Sequence, residues 1–225
     1  MKLLAIDTVT EACSAALLLD GEVVEKYEVQ PRRHTELILP MVDALLAEAG
    51  LALSQLDAIA VDRGPGSFTG VRISTGVVQG LAFSADLAVV PISSLAALAQ
   101  AVWQHTGHQQ VLPMIDARMQ EVYWGEYRLH GDEMRLQGEE QVGSLGTIPA
   151  QNFTTCVSVG SGAQQYQQRL MAEWHARVET GETLLFPRAA IIAQLGSKAF
   201  GRQQSVAAES LEPVYLRNQV VKSGC

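Results

Sequence analysis

The chain has 225 residues, of which 48% are hydrophobic and 18% charged, a composition typical of a globular protein of one large or two small domains. Its net charge is −8 at pH 7 and its largest basic cluster is Arg32-Arg33, so we do not expect the chain to bind a nucleic-acid backbone strongly by itself. No apolar run reaches the ~18 residues that span a bilayer. Three distant cysteines, Cys13, Cys156 and Cys225, show no ligand spacing and indicate a reduced, cytoplasmic protein without membrane contact.

The first hundred residues alternate between apolar runs and turn signals. The dipeptide Asp20-Gly21 lies between two such runs and predicts a hairpin of antiparallel strands over residues 12–29. Apolar residues at intervals of three and four precede Gly50, a pattern typical of a helix that ends at a glycine cap. The other predicted strands are residues 2–8, 56–62 and 87–92, and the predicted helices are residues 34–49, 69–84 and 95–105.

The second half repeats the plan of the first. The stretch VLPMIDARMQEVYWGEYRLHG, which begins at Val111, matches KLLAIDTVTEACSAALLLDG, which begins at Lys2: an apolar strand, Ile-Asp, a short turn, a second strand and a glycine. The remaining predicted elements are a strand in TCVSVGSG, helices near residues 164–173 and 188–200, and a polar loop over residues 145–152. We therefore predict two related α/β domains, each a mixed sheet with flanking helices, that meet near residues 105–110.

A glycine-rich stretch, DRGPGSFTGVRIS, covers residues 62–74. A dinucleotide fingerprint would need its third glycine one residue before Gly70, so the spacing does not fit. A P-loop would need a lysine, and residues 61–85 contain none. Two interpretations remain: a structural strand-to-helix turn capped by Ser67 or Thr69, and a turn that contacts an anion.

Asp7 and Asp116 end equivalent strands of the two halves, so we expect them to face each other across a cleft between the domains. Enzymes that transfer phosphate in such a cleft use carboxylates there, but the turns DTVT and DARM lack the glycines that let backbone amides approach phosphate. Asp7 has another role available, a hydrogen bond within its own turn through Thr8 or Thr10. An ATP-dependent phosphotransferase that uses Asp7 or Asp116 stays an alternative, and the candidate nucleotide or anion contacts are Asp7, Thr8, Thr10 and Ser67.

Gly76 and Gly80 lie four residues apart, on one face of the helix predicted over residues 69–84. Each glycine costs about 1 kcal/mol in a helix interior, so two on one face indicate that another backbone approaches closely. That backbone belongs either to the same domain or to another chain, and the spacing does not distinguish the two.

The histidines do not predict a catalytic or metal site. His105 and His108 form only a His-x-x-His pair in a polar loop, and His34 begins a helix, where we expect it to lie beside the cap. The stretch GPGSFTG lacks the Gly-x-Ser-x-Gly spacing of a hydrolase, which argues against a peptidase. We therefore predict no catalytic centre and no bound metal.

Several segments resemble the TsaB family of bacterial tRNA threonylcarbamoyladenosine biosynthesis proteins. They are LLAIDTVTEACSAAL, HTELILPMVDALLAEAG, GPGSFTGVRIS with GLAFS, IDARMQEVYW and EPVYLRN, and GPGSFTGVRI is the most specific. The resemblance implies the duplicated actin, sugar-kinase and Hsp70-like (ASKHA) fold, an α/β fold with two RNase H-like domains. It implies a first domain over residues 1–108, a second over residues 109–208, and a C-terminal segment, residues 209–225, that packs back on the first domain or faces a partner.

The resemblance also implies a function. Proteins of this family are non-catalytic scaffold or activator subunits for threonylcarbamoylation of adenosine 37 (t6A) in tRNAs that read codons beginning with A. They pair with the catalytic relative TsaD and support binding of the ATPase TsaE, so tRNA is reached only through the complex. No cofactor of its own is implied, and ATP or ADP at the interface of the complex is left open. TsaD binds metal partly through two histidines whose counterparts here are Ser94 and Leu98, which cannot replace imidazole ligands.

The first two helices are the implied partner surface, because in the family they pack against the corresponding helices of TsaD. The same face is expected to pair with a second copy of the chain, as a homodimer, when the partner is absent. The residues implied to contact the partner are Leu37, Ile38, Met41, Leu45, Ile73, Gly76, Val77 and Gly80.

Overall fold

The computed structural model describes residues 1–217, and the end of the C-terminal segment, from Asn218 to Cys225, lies outside the described residues. In the described part the chain forms two five-stranded sheets with helices packed on them. The strands of the first sheet are β1 (Lys2–Asp7), β2 (Ala12–Leu19), β3 (Glu22–Val29), β4 (Ala58–Asp62) and β5 (Ala88–Ile92). Those of the second are β6 (Gln110–Asp116), β7 (Val122–His130), β8 (Glu133–Gly143), β9 (Val157–Val159) and β10 (Arg177–Val178).

The two sheets have the same strand order. The first runs β3-β2-β1-β4-β5 and the second β8-β7-β6-β9-β10, so each strand of the first sheet has a counterpart five strands later. In both sheets the first three strands pair antiparallel, the fourth pairs parallel with the central strand, and the fifth pairs parallel with the fourth. This match confirms the predicted duplication and the two mixed sheets.

The helices are α1 (His34–Ala49), α2 (Phe68–Ala85), α3 (Ser94–Thr106), α4 (Ala150–Thr155), α5 (Ser161–Gln165), α6 (Gln167–Trp174), α7 (Glu182–Leu185) and α8 (Ala189–Gly201). The three helices predicted in the first half are confirmed to within one residue at each end. The helix predicted near residues 164–173 is two helices, α5 and α6, separated at Tyr166. Residues 145–152 are not simply a polar loop, because Leu145 and Ile148 are buried apolar residues that hold a 3-10 turn on the second core, and α4 begins at Ala150. Within residues 1–217, none of the helices has the length and apolar character needed to cross a membrane.

Local sequence accounts for the turns that place these elements. Asp20 and Gly21 have φ angles of 50° and 100°, as a tight hairpin turn requires. Gly50 ends α1 in the left-handed region at a φ of 65°. Ser67 caps α2 by accepting a hydrogen bond from the Gly70 N–H at 3.3 Å. The predicted hairpin, glycine cap and serine cap are confirmed.

Helices are exchanged between the two halves of the chain. Helices α1 and α2 pack on one face of the first sheet, and α8, which comes late in the chain, packs on its other face. Helix α3 comes from the first half but packs on the second sheet, through Leu95, Leu98 and Val102. A boundary near residue 108 thus divides the strands but not the helices, and the division into domains 1–108 and 109–208 stays a prediction.

The described part of the C-terminal segment runs along the joint between the halves. The Val214 N–H donates to the carbonyl oxygen of Arg63 in the first half at 2.9 Å. The Arg217 guanidinium forms an ion pair with Glu121 of the second half. Residues 209–217 therefore contact the first half and reach the second half at their end.

Candidate functional site

The glycine loop between β4 and α2 packs against the loop that follows β1. A Cβ atom added to Gly66 would lie 2.6 Å from the carbonyl oxygen of Val9, and one added to Gly70 would lie 2.1 Å from that of Thr8. The Ser67 N–H donates to the Val9 carbonyl oxygen at 2.8 Å, and the Thr8 hydroxyl donates to the Gly70 carbonyl oxygen at 2.8 Å. These glycines serve a close contact between two loops, which favours the structural interpretation of the turn.

Beneath these loops lie two fully buried carboxyl groups, those of Asp7 and Asp62, at the ends of neighbouring parallel strands. Asp7 Oδ1 accepts from the Val9 N–H at 2.8 Å. Asp62 Oδ1 accepts from the Gly64 N–H at 2.8 Å and from the Ser94 hydroxyl at 2.6 Å. Burial, and then the nearby charge of Asp62, raise the pKa of Asp7 well above its usual range. Burial also raises the pKa of Asp62 to about 7, against the lowering effect of its hydrogen bonds.

The expectation that Asp7 and Asp116 face each other across a cleft is corrected for Asp7, because its carboxyl group is fully buried beside that of Asp62. Asp116 does line the cleft, and its Oδ2 atom lies 3.1 Å from Arg118 Nη1. The Arg118 guanidinium also lies 3.0 Å from the Glu11 carboxylate, which links the two halves. One candidate carboxylate is thus sealed in the interior and the other is paired with an arginine.

The cleft between the halves has a volume of about 510 Å³ and combines arginine with aromatic side chains. The Arg72 guanidinium carbon lies 3.5 Å from the centroid of the Phe68 ring and 5.7 Å from that of Tyr215. Such stacking is worth about 0.5–1 kcal/mol at an exposed site. The other polar lining residues are Thr10, Glu11, Ser67, Asp116, Arg118, Tyr123 and Arg217.

The four predicted nucleotide or anion contacts are not together. Thr10 and Ser67 line the cleft, and their contact with an anion stays a prediction. Asp7 and Thr8 are fully buried, and the Thr8 hydroxyl already donates to Gly70. Asp7 and Thr8 therefore have no surface to offer a ligand in the cleft.

The apolar stripe of α1 is in the core. Ile38, Met41 and Leu45 are 0%, 6% and 1% exposed, because α1 turns them toward the first sheet. Their expected exposure to a partner is corrected: the chain itself buries this stripe. Leu37 is half-buried against the same cluster, and its contact with a partner stays a prediction.

The solvent side of α2 is different, because it carries glycines and an aromatic ring. Phe83 is 81% exposed. Within the described residues no atom lies within 4 Å of a Cβ atom added to Gly76 or Gly80, so no backbone of residues 1–217 makes the close approach that these glycines allow. Ile73 and Val77 lie beside Gly76 and Gly80 on α2 and are half-buried. We call the following residues the outer face of α2: Arg72, Gly76, Gly80 and Phe83.

The positions that match the implied TsaD metal ligands have structural roles. Ser94 and Leu98 are fully buried, and Leu98 packs between α3 and the second sheet. Among the described residues, no three His, Cys, Asp or Glu side chains are grouped so as to hold a metal ion. His34 is buried, with its Nε2 atom 2.9 Å from the Thr10 carbonyl oxygen, so it supports the loop after β1.

Three features of the site were not predicted: Asp62, Arg72 and Phe83. Asp62 ends the run AIAVD much as Asp7 ends LLAID, and parallel neighbouring strands bring such ends together. Arg72 follows Phe68 by four residues, the spacing at which helical side chains meet. Phe83 follows Gly80 by three residues and so lies on the same face of α2 as Gly76 and Gly80.

Comparisons with known proteins agree with this structure. The family model of TsaD, tRNA N6-adenosine threonylcarbamoyltransferase, matches residues 24–211. The tRNA threonylcarbamoyladenosine biosynthesis protein TsaB of Escherichia coli is 43% identical, over 98% of this chain and 96% of its own. TsaB of Haemophilus influenzae is 41% identical, over 98% and 95% of the two chains.

Two solved structures are also similar. YeaZ from Pseudomonas aeruginosa is 46% identical with a TM-score of 0.88, over 96% of this chain and 99% of its own. A second Pseudomonas aeruginosa structure, described as similar to peptidase YeaZ, is 46% identical with a TM-score of 0.87 over the same shares. With the repeated strand order, these matches confirm the predicted ASKHA fold.

Proposed function

Since this chain belongs to the TsaB family, we propose that it acts in tRNA threonylcarbamoyladenosine biosynthesis as a scaffold or activator subunit that carries out no chemistry itself. It forms a heterodimer with a TsaD subunit and supports the binding of TsaE. It acts in the cytoplasm, meets tRNA only through this complex, and pairs with a second copy of itself when TsaD is absent. The observation that carries the proposal is the outer face of α2, which lies open to solvent.

The outer face of α2 is suited to a packed helix. Glycines at Gly76 and Gly80 let the axis of a partner helix approach closely, and half-buried Ile73 and Val77 supply apolar surface on one side. Phe83 is a large ring with little protein around it, the kind of residue that fills a pocket at the centre of an interface. Helix α2 has 18 residues and is about 27 Å long, enough for an interface of about 800 Å² per partner.

The groups that would do chemistry are committed elsewhere, which supports a non-catalytic role. Asp7 is buried against Asp62, and Asp116 is paired with Arg118. Ser94 donates its hydroxyl hydrogen to Asp62. A subunit with these arrangements contributes surface and orientation to the complex rather than reacting atoms.

Reconstitution tests the function directly. Purified TsaD, TsaE and tRNA, supplied with the threonylcarbamoyl donor and ATP, are expected to form threonylcarbamoyladenosine only when this chain is added. The measurement is the modified nucleoside in digested tRNA. Equal product with and without the chain would remove the proposed role.

The substitution Gly80→Arg tests the surface. It places a long charged side chain where the partner backbone is expected to pack, and an unpaired charge in an interface costs about 3–5 kcal/mol, so TsaD affinity should fall at least a hundredfold. Calorimetric titration with TsaD measures this. The matched control is Gly201→Arg, at the exposed end of α8, where an added Cβ also meets no atom. If both variants bind TsaD like the unaltered chain, the outer face of α2 is not the interface.

A second candidate is an ATP-dependent phosphotransferase, and the arginine-lined cleft is the observation that favours it. In this candidate Asp116 is the remaining catalytic carboxylate, since Asp7 is buried. Titration of the isolated chain with magnesium-ATP distinguishes the two functions. Tight binding by the isolated chain supports the phosphotransferase, whereas binding only after TsaD is added places ATP or ADP at the interface of the complex.

A further inference from the structure

Asp7 and Asp62 form a buried pair that the proposed function does not use. Both are fully buried, and their strands pair in register up to the preceding residues, Ile6 and Val61. One oxygen of each carboxyl group accepts hydrogen bonds from the backbone or from Ser94. The other oxygen, Oδ2 in both, receives no hydrogen bond from any donor in the described structure, and the two carboxyl groups lie within hydrogen-bond reach of each other.

Two ionised carboxylates cannot share such a buried site without a large cost, because within residues 1–217 no basic side chain forms an ion pair with either of them. A single proton between them removes one charge and gives both orphaned oxygens a hydrogen bond. The surrounding elements offer no better partner. Two carboxylates face the pair, and both are already engaged: Glu25 is paired with Arg188, and Glu140 accepts hydrogen bonds from Ser93 and Tyr127. The other ionisable groups nearby are the thiol of Cys13, the phenol of Tyr27 and, on the side of Tyr127, the guanidinium of Arg63.

We propose that Asp7 and Asp62 hold one proton between them, and that this proton locks the loop after β1 to the start of α2. The connection is short: Asp7 binds the Val9 N–H, Asp62 binds the Gly64 N–H, and the two loops join where the Ser67 N–H meets the Val9 carbonyl oxygen. Loss of the proton sets two negative charges against each other at the base of both loops. The start of α2 then loosens.

The direction of the pH dependence follows from the pKa shifts. Burial and the charge of the second carboxylate raise the pKa of the proton that the pair shares, so the folded state keeps a proton that the unfolded chain has released. The contribution of the pair to stability is therefore fully present below the ordinary aspartate pKa of 3.8 and is lost as the pH rises through the raised pKa of the pair. For one proton the unfolding constant increases about tenfold per pH unit in this window.

The test measures urea unfolding of the isolated chain between pH 4.5 and 8.5, so it does not depend on any partner. Asp62→Asn and Asp7→Asn each supply an amide hydrogen in place of the shared proton while preserving the accepting oxygen. Both variants are expected to lose the tenfold-per-unit dependence and to unfold at higher urea than the unaltered chain at pH 8. Glu139→Gln, on the exposed part of β8, is the matched control and should leave the dependence unchanged. An unchanged slope in both aspartate variants overturns the proposal.

Two measurements on the unaltered chain keep the proposal testable if a variant does not fold. Infrared spectra are expected to contain a protonated carboxyl band at pH 6 that fades by pH 8.5. Over the same rise in pH, hydrogen exchange at the Val9 and Gly64 amides, corrected for its intrinsic pH dependence, is expected to become faster. A band that is absent at pH 6 overturns the proposal. So does a large increase in stability on adding magnesium at pH 8, because a cation rather than a proton would then hold the pair.

Discussion

Met41→Asp is expected to unfold the isolated chain rather than to weaken a contact with a partner. Met41 is 6% exposed and packs with Ile38 and Leu45 in the core between α1 and the first sheet. Removal of a buried methionine side chain costs about 2–5 kcal/mol, and an uncompensated charge in the same place costs more. Since a domain is stable by only about 5–15 kcal/mol, little or no folded protein should remain. Circular dichroism and urea unfolding measure the result.

Leu39→Asp is the matched control for that experiment, because Leu39 lies on the same helix and is 44% exposed. It should change the free energy of unfolding by less than about 1 kcal/mol, as for other exposed positions. If Met41→Asp folds as well as Leu39→Asp, α1 does not bury its apolar stripe against the sheet. The comparison therefore separates loss of the core from loss of a binding surface.

Gly70→Ala is expected to destabilise the chain by about 2–4 kcal/mol, because the new methyl group needs backbone to move. Its Cβ would lie 2.1 Å from the carbonyl oxygen of Thr8, a distance that no relaxation of a side chain can relieve. To make room, the loop after β1 must separate from α2, which breaks the hydrogen bonds that Thr8 and Ser67 make across the contact. Urea unfolding measures the free-energy change.

Gly76→Ala is the matched control on the same helix. An added Cβ at Gly76 meets no described atom, and alanine favours a helix over glycine by about 1 kcal/mol, so this variant should be more stable than the unaltered chain. The same substitution thus has opposite signs at two positions six residues apart. A Gly70→Ala variant as stable as Gly76→Ala would show that the start of α2 does not contact the loop after β1.

Much of the local structure was predictable because short-range signals decide it. Asp20-Gly21 adopts the φ angles of a tight turn with little influence from the rest of the chain, and Gly50 and Ser67 act on the helix ends next to them. The recurrence of an Ile-Asp strand end at Asp7 and Asp116 predicted the duplication, because each half repeats the same order of elements.

The assignment of the α1 stripe shows where sequence reasoning ends. The spacing of Ile38, Met41 and Leu45 correctly indicates a face that is removed from water. Periodicity does not identify what covers that face, since a sheet of the same chain and a helix of a partner select the same residues. The structure assigns the stripe to the chain's own core and leaves Gly80 and Phe83 outside.

By itself the sequence determined the elements, their order, the duplicated fold and the family, because turn residues, periodicity and shared motifs are properties of neighbouring residues. Only the tertiary structure decided that α3 packs on the second sheet and α8 on the first. It also decided that Asp7 lies beside Asp62 instead of Asp116, and that Arg72, Gly76, Gly80 and Phe83 of α2 are exposed. Each of these depends on how strands and helices far apart in the chain pack together, and side-chain burial is a property of that packing.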